Sequence, residues 1–303
     1  MDRIIFGDNQ FFGINHMSED KAQAQLERFR DNRAIVDTLE IAYGEGIRAF
    51  MFSTHERVRE LCGHLRSNRS SFQGLGLYPV LPYAHKYAAA VAEKGILGVA
   101  KDALVANNSG LELAGTLIRG GMGVVARDPF ETMKMLVDAE MLMFRGLEVR
   151  TVFLQNIVAD LLLGLRLGDA FVRFSDYLLK RYEVETGFMT MNLPAMVAYL
   201  RECGLSNPIV CASINKLGYL MNPDIASYER TIAAGGFRPV AMSVLASGAI
   251  HPREAVEYVC AQRNIEAIVF GASTKNNIAA TKSLIEEMRA RFECEEAPCG
   301  ALA

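Results

Sequence analysis

A parallel (β/α)8 barrel, eight strands closed into a ring inside a layer of helices, is the architecture expected of this chain. Three observations lead there. Short apolar runs alternate with segments of helical periodicity along almost the whole length, the pattern of repeated βα units. Eight such runs are present. The length of 303 residues suits one barrel, which takes roughly 250 residues as a single domain. An open doubly wound sheet is the competing architecture. It calls for a Gly-x-Gly-x-x-Gly turn after the first strand, and no such turn follows here.

The first strand is expected over residues 4–7. Ser18, followed by Glu19 and Asp20, then starts a helix with a hydroxyl cap and an acidic first turn. The second strand covers 49–52 and the third 76–81, closed by Pro82, which has no N–H to extend a ladder. Residues 86–148 are too many for one barrel helix. Segments 88–105 and 130–144 read as helices joined by a Gly-rich piece. The stretch is expected to be the third helix plus an inserted helical subdomain or lid, with a longer outer helix layer as the alternative. Later strands fall at 151–154, 188–191, 208–212, 239–244 and 267–270. Amphipathic segments 195–203, 225–234, 253–262 and 278–292 supply outer helices, and Gly204, Gly235 and Gly236 stand where helix ends reverse. Residues 1–292 then form a single domain, and the acidic, small-residue tail 293–303 is expected to fray.

Apolar residues make up 50% and charged residues 22%, ordinary for a soluble globular enzyme. A net charge of −3 with no Lys/Arg-rich run leaves no footprint for nucleic acid. No apolar run approaches the ~18 residues of a spanning helix, and the N-terminal residues lack a secretory pattern. The six cysteines include no CxxC pair and read as small buried hydrophobes in a reducing compartment. Cys294 and Cys299 in the tail are close enough in sequence to cross-link. A cytoplasmic location is expected. Methionines at 133–143 have helical spacing and read as packing.

Barrel chemistry gathers at the C-terminal ends of the strands. There the chain offers Asp8, Asn9 and Gln10; Ser53, Thr54, His55 and Glu56; Tyr83, His85 and Lys86; Gln155 and Asn156; Asn192; Ser213, Asn215 and Lys216; and Ser243 and Ser247. Few of these ionise. His55 and Asp8 follow neighbouring strands and can serve as an acid/base pair, since imidazole titrates near neutrality. The plainer reading is a histidine that only hydrogen-bonds at the barrel mouth. Gly271, Ala272, Ser273 and Thr274 open the last helix, where backbone N–H groups and the helix dipole favour an anion. Lys275 adds charge, and Ser247 and Gly248 can complete a phosphate cradle. An ordinary Ser/Thr cap is the alternative. Lys216 at the sixth strand is placed for a Schiff base if buried, and as a surface lysine otherwise. No HxH or HExxH spacing supports a metal.

Residues 46–65, GIRAFMFSTHERVRELCGHL, resemble the second-strand segment of the aldo-keto reductases, G-I-N-F-F-D-T-A-x-x-Y-G-x-S-E-x-x-L-G-x-x-L. In the same order, 4–13, 187–200, 238–250 and 267–287 resemble that family's first strand, its G-x-S-N-F segment, and its seventh- and eighth-strand motifs. The resemblance implies a barrel, and it places Ser273, Lys275 and Asn276 where the family holds the adenosine phosphate. It also implies a catalytic tetrad of Asp, Tyr, Lys and His that is not retained. The Asp position is Ser53. The Tyr falls in a gap between Glu56 and Arg57. The Lys position is Leu81 or Pro82, and the His position is Gln155 or Asn156.

The expected function is therefore a small-molecule enzyme on an aldo-keto-reductase-like barrel. It would run non-redox acid/base chemistry of the lyase or isomerase type on a polar metabolite, a phosphorylated one suiting the anion site. His55 is the expected acid/base and Asp8 its partner. Asn9, Ser53, His85, Gln155, Asn156, Asn192, Asn215 and Lys216 are the expected substrate contacts. Ser247, Gly248, Gly271, Ala272, Ser273, Thr274, Lys275 and Asn276 are the expected anion or cofactor cradle. NADP is left open as a cofactor. One alternative is an NAD(P)H-dependent oxidoreductase whose proton donor has moved to Tyr83 or His85. Another is a barrel that binds without catalysing. The expected partner is a small-molecule substrate, and a homo-oligomer is left open.

Overall fold

The computed structural model describes residues 1–14, 18–82 and 129–296. Eight strands, β1 (Ile4–Phe6), β2 (Ala49–Ser53), β3 (Gly76–Leu81), β4 (Thr151–Leu154), β5 (Glu185–Thr190), β6 (Ile209–Ser213), β7 (Arg238–Met242) and β8 (Ala267–Phe270), close into a barrel in sequence order. The pairings are parallel, with Ile4 opposite Ile268 and Phe6 opposite Phe270 across the closing seam. Strands in such a sheet are covered on both faces, which is why they read as continuous apolar runs. The expected barrel is the one observed.

Ten α-helices accompany the strands among the described residues: α1 (Glu19–Arg28), α2 (Asn32–Gly44), α3 (Val58–Ser67), α4 (Pro129–Met141), α5 (Asn156–Gly164), α6 (Gly168–Tyr182), α7 (Leu193–Glu202), α8 (Ile225–Ala234), α9 (Pro252–Cys260) and α10 (Lys275–Glu296). Ser18 caps α1 as expected, its hydroxyl accepting the N–H of Lys21. Gly204 reverses the end of α7 at φ 81°. There Gly204 N–H donates to Arg201 and Leu205 N–H to Leu200, closing a Schellman motif. No described helix is long and apolar enough to cross a membrane.

By its contacts the chain divides into two compact units, Met1–Met51 with Met189–Ala303, and Phe52–Phe188. In the first, Phe6, Phe11, Phe29, Phe50 and Phe270 meet edge to face at centroid distances of 4.9–6.2 Å, the favoured aromatic geometry. In the second, the Phe171 ring packs edge-on to Phe188 at 5.3 Å. Cys62 and Cys211 are buried as expected, and burial pushes the Cys62 thiol up to about 12. Cys299 lies outside the described residues.

Three expectations are corrected. Strand β5 starts at Glu185, ahead of the expected 188, because β4 pairs from Thr151 with Glu185 onward. Gly187 hides that start. It has no side chain, and the Phe153 ring opposite fills the space a Cβ would take. Helix α10 runs from Lys275 to Glu296, longer at both ends than the expected segment 278–292, with Glu293 held by Arg3. The connection from β1 to β2 holds two helices, α1 and α2, with a break at Phe29, which is fully buried. The expected helix at 130–144 is α4 plus a 3-10 turn, Leu142–Phe144. That expected at 88–105 lies outside the described residues.

Candidate active site at the strand ends

In the first unit, the chain leaving β1 turns at once into a 3-10 helix, Asn9–Phe12. Asp8 stands at its entry, buried, at φ −110° and ψ −8°, a sparsely populated region where many active-site residues sit. Asn9 is exposed and uses its carbonyl to hold Ile14. Gln10 is buried. Its Nε2 donates to the Gly7 carbonyl at 2.8 Å, and its Oε1 has no hydrogen-bond partner among the described residues. That oxygen lies against Gly271 in the loop after β8, where a Cβ would collide with it. A larger residue at 271 would have to displace the Gln10 amide.

The loop after β7 is bent by three non-glycine residues in the left-handed region, Ser243 (φ 53°), Ala246 (φ 44°) and Ser247 (φ 56°), with Gly248 following at φ 88°. Each such residue costs of order 1–3 kcal/mol, and such conformations concentrate at binding sites. Helix α1 reaches both this loop and the next. Lys21 Nζ comes within 3.8 Å of the Cβ position of Gly248, and the Arg28 guanidinium donates to the Ser273 carbonyl. Thr274 accepts the N–H of Asn277 at 3.2 Å and so caps α10. Lys275 lies 3.9 Å from Glu45 and is mostly exposed. Ala272 sits in the same turn, and Asn276 is exposed on the first turn of α10.

Several polar residues expected to meet substrate are engaged in folding their own loops. Asn215 is fully buried. Its Oδ1 accepts from Leu217 and Tyr219, and its Nδ2 donates to the Tyr219 carbonyl. Asn192 caps α7 by accepting the N–H of Ala195. Lys216 pairs with Glu254 at 2.6 Å, both side chains half exposed. This holds the Glu254 carboxyl below its usual range, and the burial a Schiff-base lysine needs is missing. Ser213, at the end of β6, is fully buried with a hydroxyl that bonds to nothing among the described residues.

In the second unit, Ser53 ends β2 and its carbonyl accepts the His55 N–H at 2.7 Å. His55 is half-buried, and its Nδ1 accepts the Arg57 N–H at 3.3 Å. That bond assigns the neutral ring its proton on Nε2. Thr54, between them, is fully buried and donates to Glu140 Oε2 on α4. Glu140 is buried, and nothing in the sequence marked it. Gln155 is buried after β4, and Asn156 begins α5. His85, with His16, Tyr83 and Lys86, lies outside the described residues. Asp8 belongs to the first unit and His55 to the second.

No protein-family model matches the chain, and no curated protein matches its sequence. Solved structures do match. A Pseudomonas aeruginosa protein provisionally assigned as an aldo-keto reductase gives a TM-score of 0.54 at 13% identity, over 95% of this chain and 90% of its own. The protein PA4992, with the same provisional assignment and organism, gives 0.52 at 15% identity over 95% and 90%. The chain shares a (β/α)8 barrel fold with these structures. Gox0644 in its apo form gives 0.50 at 9% identity over 100% and 92%. At such identities the likeness shows the fold alone.

Proposed function

We propose that this barrel is a small-molecule enzyme that moves protons, of the lyase or isomerase type, with His55 as its acid/base group. The observation that carries the reading is the His55 ring. It follows β2 directly, is half-buried, and has Nδ1 engaged by the Arg57 N–H, which makes Nε2 the proton-bearing atom. Imidazole is the side chain most often used to give and retake a proton in a general acid/base step. Asp8, buried at the end of β1, is the second titratable group of the proposal. Gln155 and Asn156 would hold hydroxyl or carbonyl groups. The turn from Gly271 to Lys275, with Ser247, Gly248, Lys21 and Arg28, would hold an anionic group. A phosphate or carboxylate suits the turn of the first unit.

The test is solvent deuterium exchange. A panel of hydroxy acids, keto acids and sugar phosphates is incubated with the enzyme in D2O and followed by NMR. Wash-in at a carbon beside a carbonyl is expected, falling by roughly 10²–10⁴-fold in His55→Ala, the usual contribution of a general acid/base. Exchange that survives His55→Ala would sink the assignment.

A second reading is an NAD(P)H-dependent oxidoreductase. It draws on the shared fold and on Ser273, Lys275 and Asn276 at the start of α10. A thermal shift with NADPH that disappears in a Lys275→Glu variant would favour it over the first.

A further inference from the structure

A cavity of about 460 Å³ opens in the second unit, where the chain runs from α3 into β3 and from α4 toward β4. That volume suits a small organic molecule. The cavity lies at the N-terminal ends of these strands, whereas His55 follows the C-terminal end of β2. It is therefore no part of the site described above. Its floor is apolar: Leu65, Phe72, Leu75 and Leu77 are buried and Leu147 is half-buried. The His64 ring packs edge-on to Phe72 at a centroid distance of 6.4 Å. The backbone behind the floor is paired. Leu77 N–H donates to the Glu148 carbonyl at 2.8 Å, and Arg150 N–H to the Leu77 carbonyl at 3.0 Å.

Two charged side chains line the cavity, Arg69 and Glu148, and they are differently placed. Glu148 accepts from Arg150 Nε at 2.9 Å, while Arg150 Nη2 donates to the Gly74 carbonyl, also at 2.9 Å. Gly76 leaves room for this arrangement, since a Cβ there would run into the Arg150 guanidinium. Arg69 is exposed, and its guanidinium has no hydrogen bond or ion pair among the described residues. Two guanidinium groups against one carboxylate leave a single positive charge, and it stands on Arg69, beside an apolar floor.

We propose that this cavity binds a small organic monocarboxylate, with its carboxylate on Arg69 and an aromatic or branched aliphatic body over Phe72 and Leu147. A guanidinium presents parallel N–H donors that match the two oxygens of a carboxylate. One unmatched charge selects a monoanion, because Glu148 repels the second charge of a dicarboxylate or a phosphate monoester. The apolar floor selects a body that gains by leaving water. The proposal rests on no part of the proton-transfer reading.

The test is calorimetric titration of the full chain with hydrocinnamate, with hydrocinnamide as the uncharged probe and phenyl phosphate as the dianion. Saturable binding of hydrocinnamate with a Kd below about 1 mM is expected, and binding of the amide at least about tenfold weaker. Phenyl phosphate is expected to bind more weakly than hydrocinnamate. Arg69→Gln should weaken the acid by at least about tenfold and leave the amide unchanged. Gln73→Trp, at an exposed lining position with extended backbone, fills the cavity and should abolish binding of both. Circular dichroism melts verify that the variants fold. His55→Ala should bind hydrocinnamate as wild type does. A wild type that never saturates would overturn the proposal, as would an amide or phenyl phosphate that binds as tightly as the acid. So would an affinity for the acid that survives Arg69→Gln or Gln73→Trp, or one that His55→Ala removes.

Discussion

Gly164 and Gly187 are the same residue in the same compact unit, and they meet opposite surroundings. At Gly187 the Phe153 ring lies across the backbone in the register-paired position, so the chain itself occupies the space. At Gly164 nothing among the described residues comes within 4 Å of that position. The contrast separates a position whose glycine is required by packing within the fold from one where the described residues set no such requirement. Thr54 belongs with Gly187: its hydroxyl is fully buried, and a partner, Glu140, is built in.

The largest effect expected from this contrast is at Thr54. Thr54→Val takes a hydroxyl donor from a buried carboxyl and is expected to lower stability by roughly 1.5–3 kcal/mol, read from urea denaturation. A loss under half of that would mean Glu140 relies on other donors. Gly187→Ala comes next, at about 1–3 kcal/mol of destabilisation from overpacking against Phe153. Gly164→Ala, at the last residue of α5, should go the other way, raising stability by at most about 0.5–1 kcal/mol, the value for a helix interior. If both glycine variants were destabilising, the distinction between them would fail.

The smallest effect tests another requirement met internally. Arg238 makes two hydrogen bonds to Glu266 and holds its carboxyl below the usual range. The folded value is depressed, so the pair stabilises above the ordinary glutamate value near pH ~4.3. That stability is lost as pH falls through the folded value. Glu266→Gln should make this acid limb shallower, a change of up to about 1 kcal/mol for a partly exposed pair, seen as urea midpoints that fall less between neutral and acidic pH than in wild type.

The barrel was legible in the sequence because a strand covered on both faces leaves an unbroken apolar run. Residues 76–81, 151–154 and 267–270 coincide with β3, β4 and β8. The start of β5 was not, because Gly187 interrupts the run and its reason for being glycine, the Phe153 ring, comes from another strand. At the candidate site, His55 was visible as an ionisable residue directly after an apolar run. Asn192, Asn215 and Thr274 were visible too, but an amide or hydroxyl at a strand end looks the same whether it caps a loop or meets a ligand. Glu140 could not be seen. It lies in a helix that also carries Glu131, Lys134 and Asp138, and its partner Thr54 is 86 residues away, a separation no local pattern encodes. The left-handed run at Ser243, Ala246 and Ser247 falls on residue types that do not advertise it.

The closing seam has a consequence for how the protein is made. Strand β1 precedes every other strand, and the β8 residues beside it, Ile268, Val269 and Phe270, follow them all. During translation, the backbone edge of Ile4, Ile5 and Phe6 that faces β8 waits for nearly the whole chain to leave the ribosome. The unit of residues 52–188 is continuous and meets its partners well before then. Nascent chains stalled before β8 should therefore be the ones a chaperone holds longest, because an unmatched strand edge is what such factors recognise and what aggregation exploits.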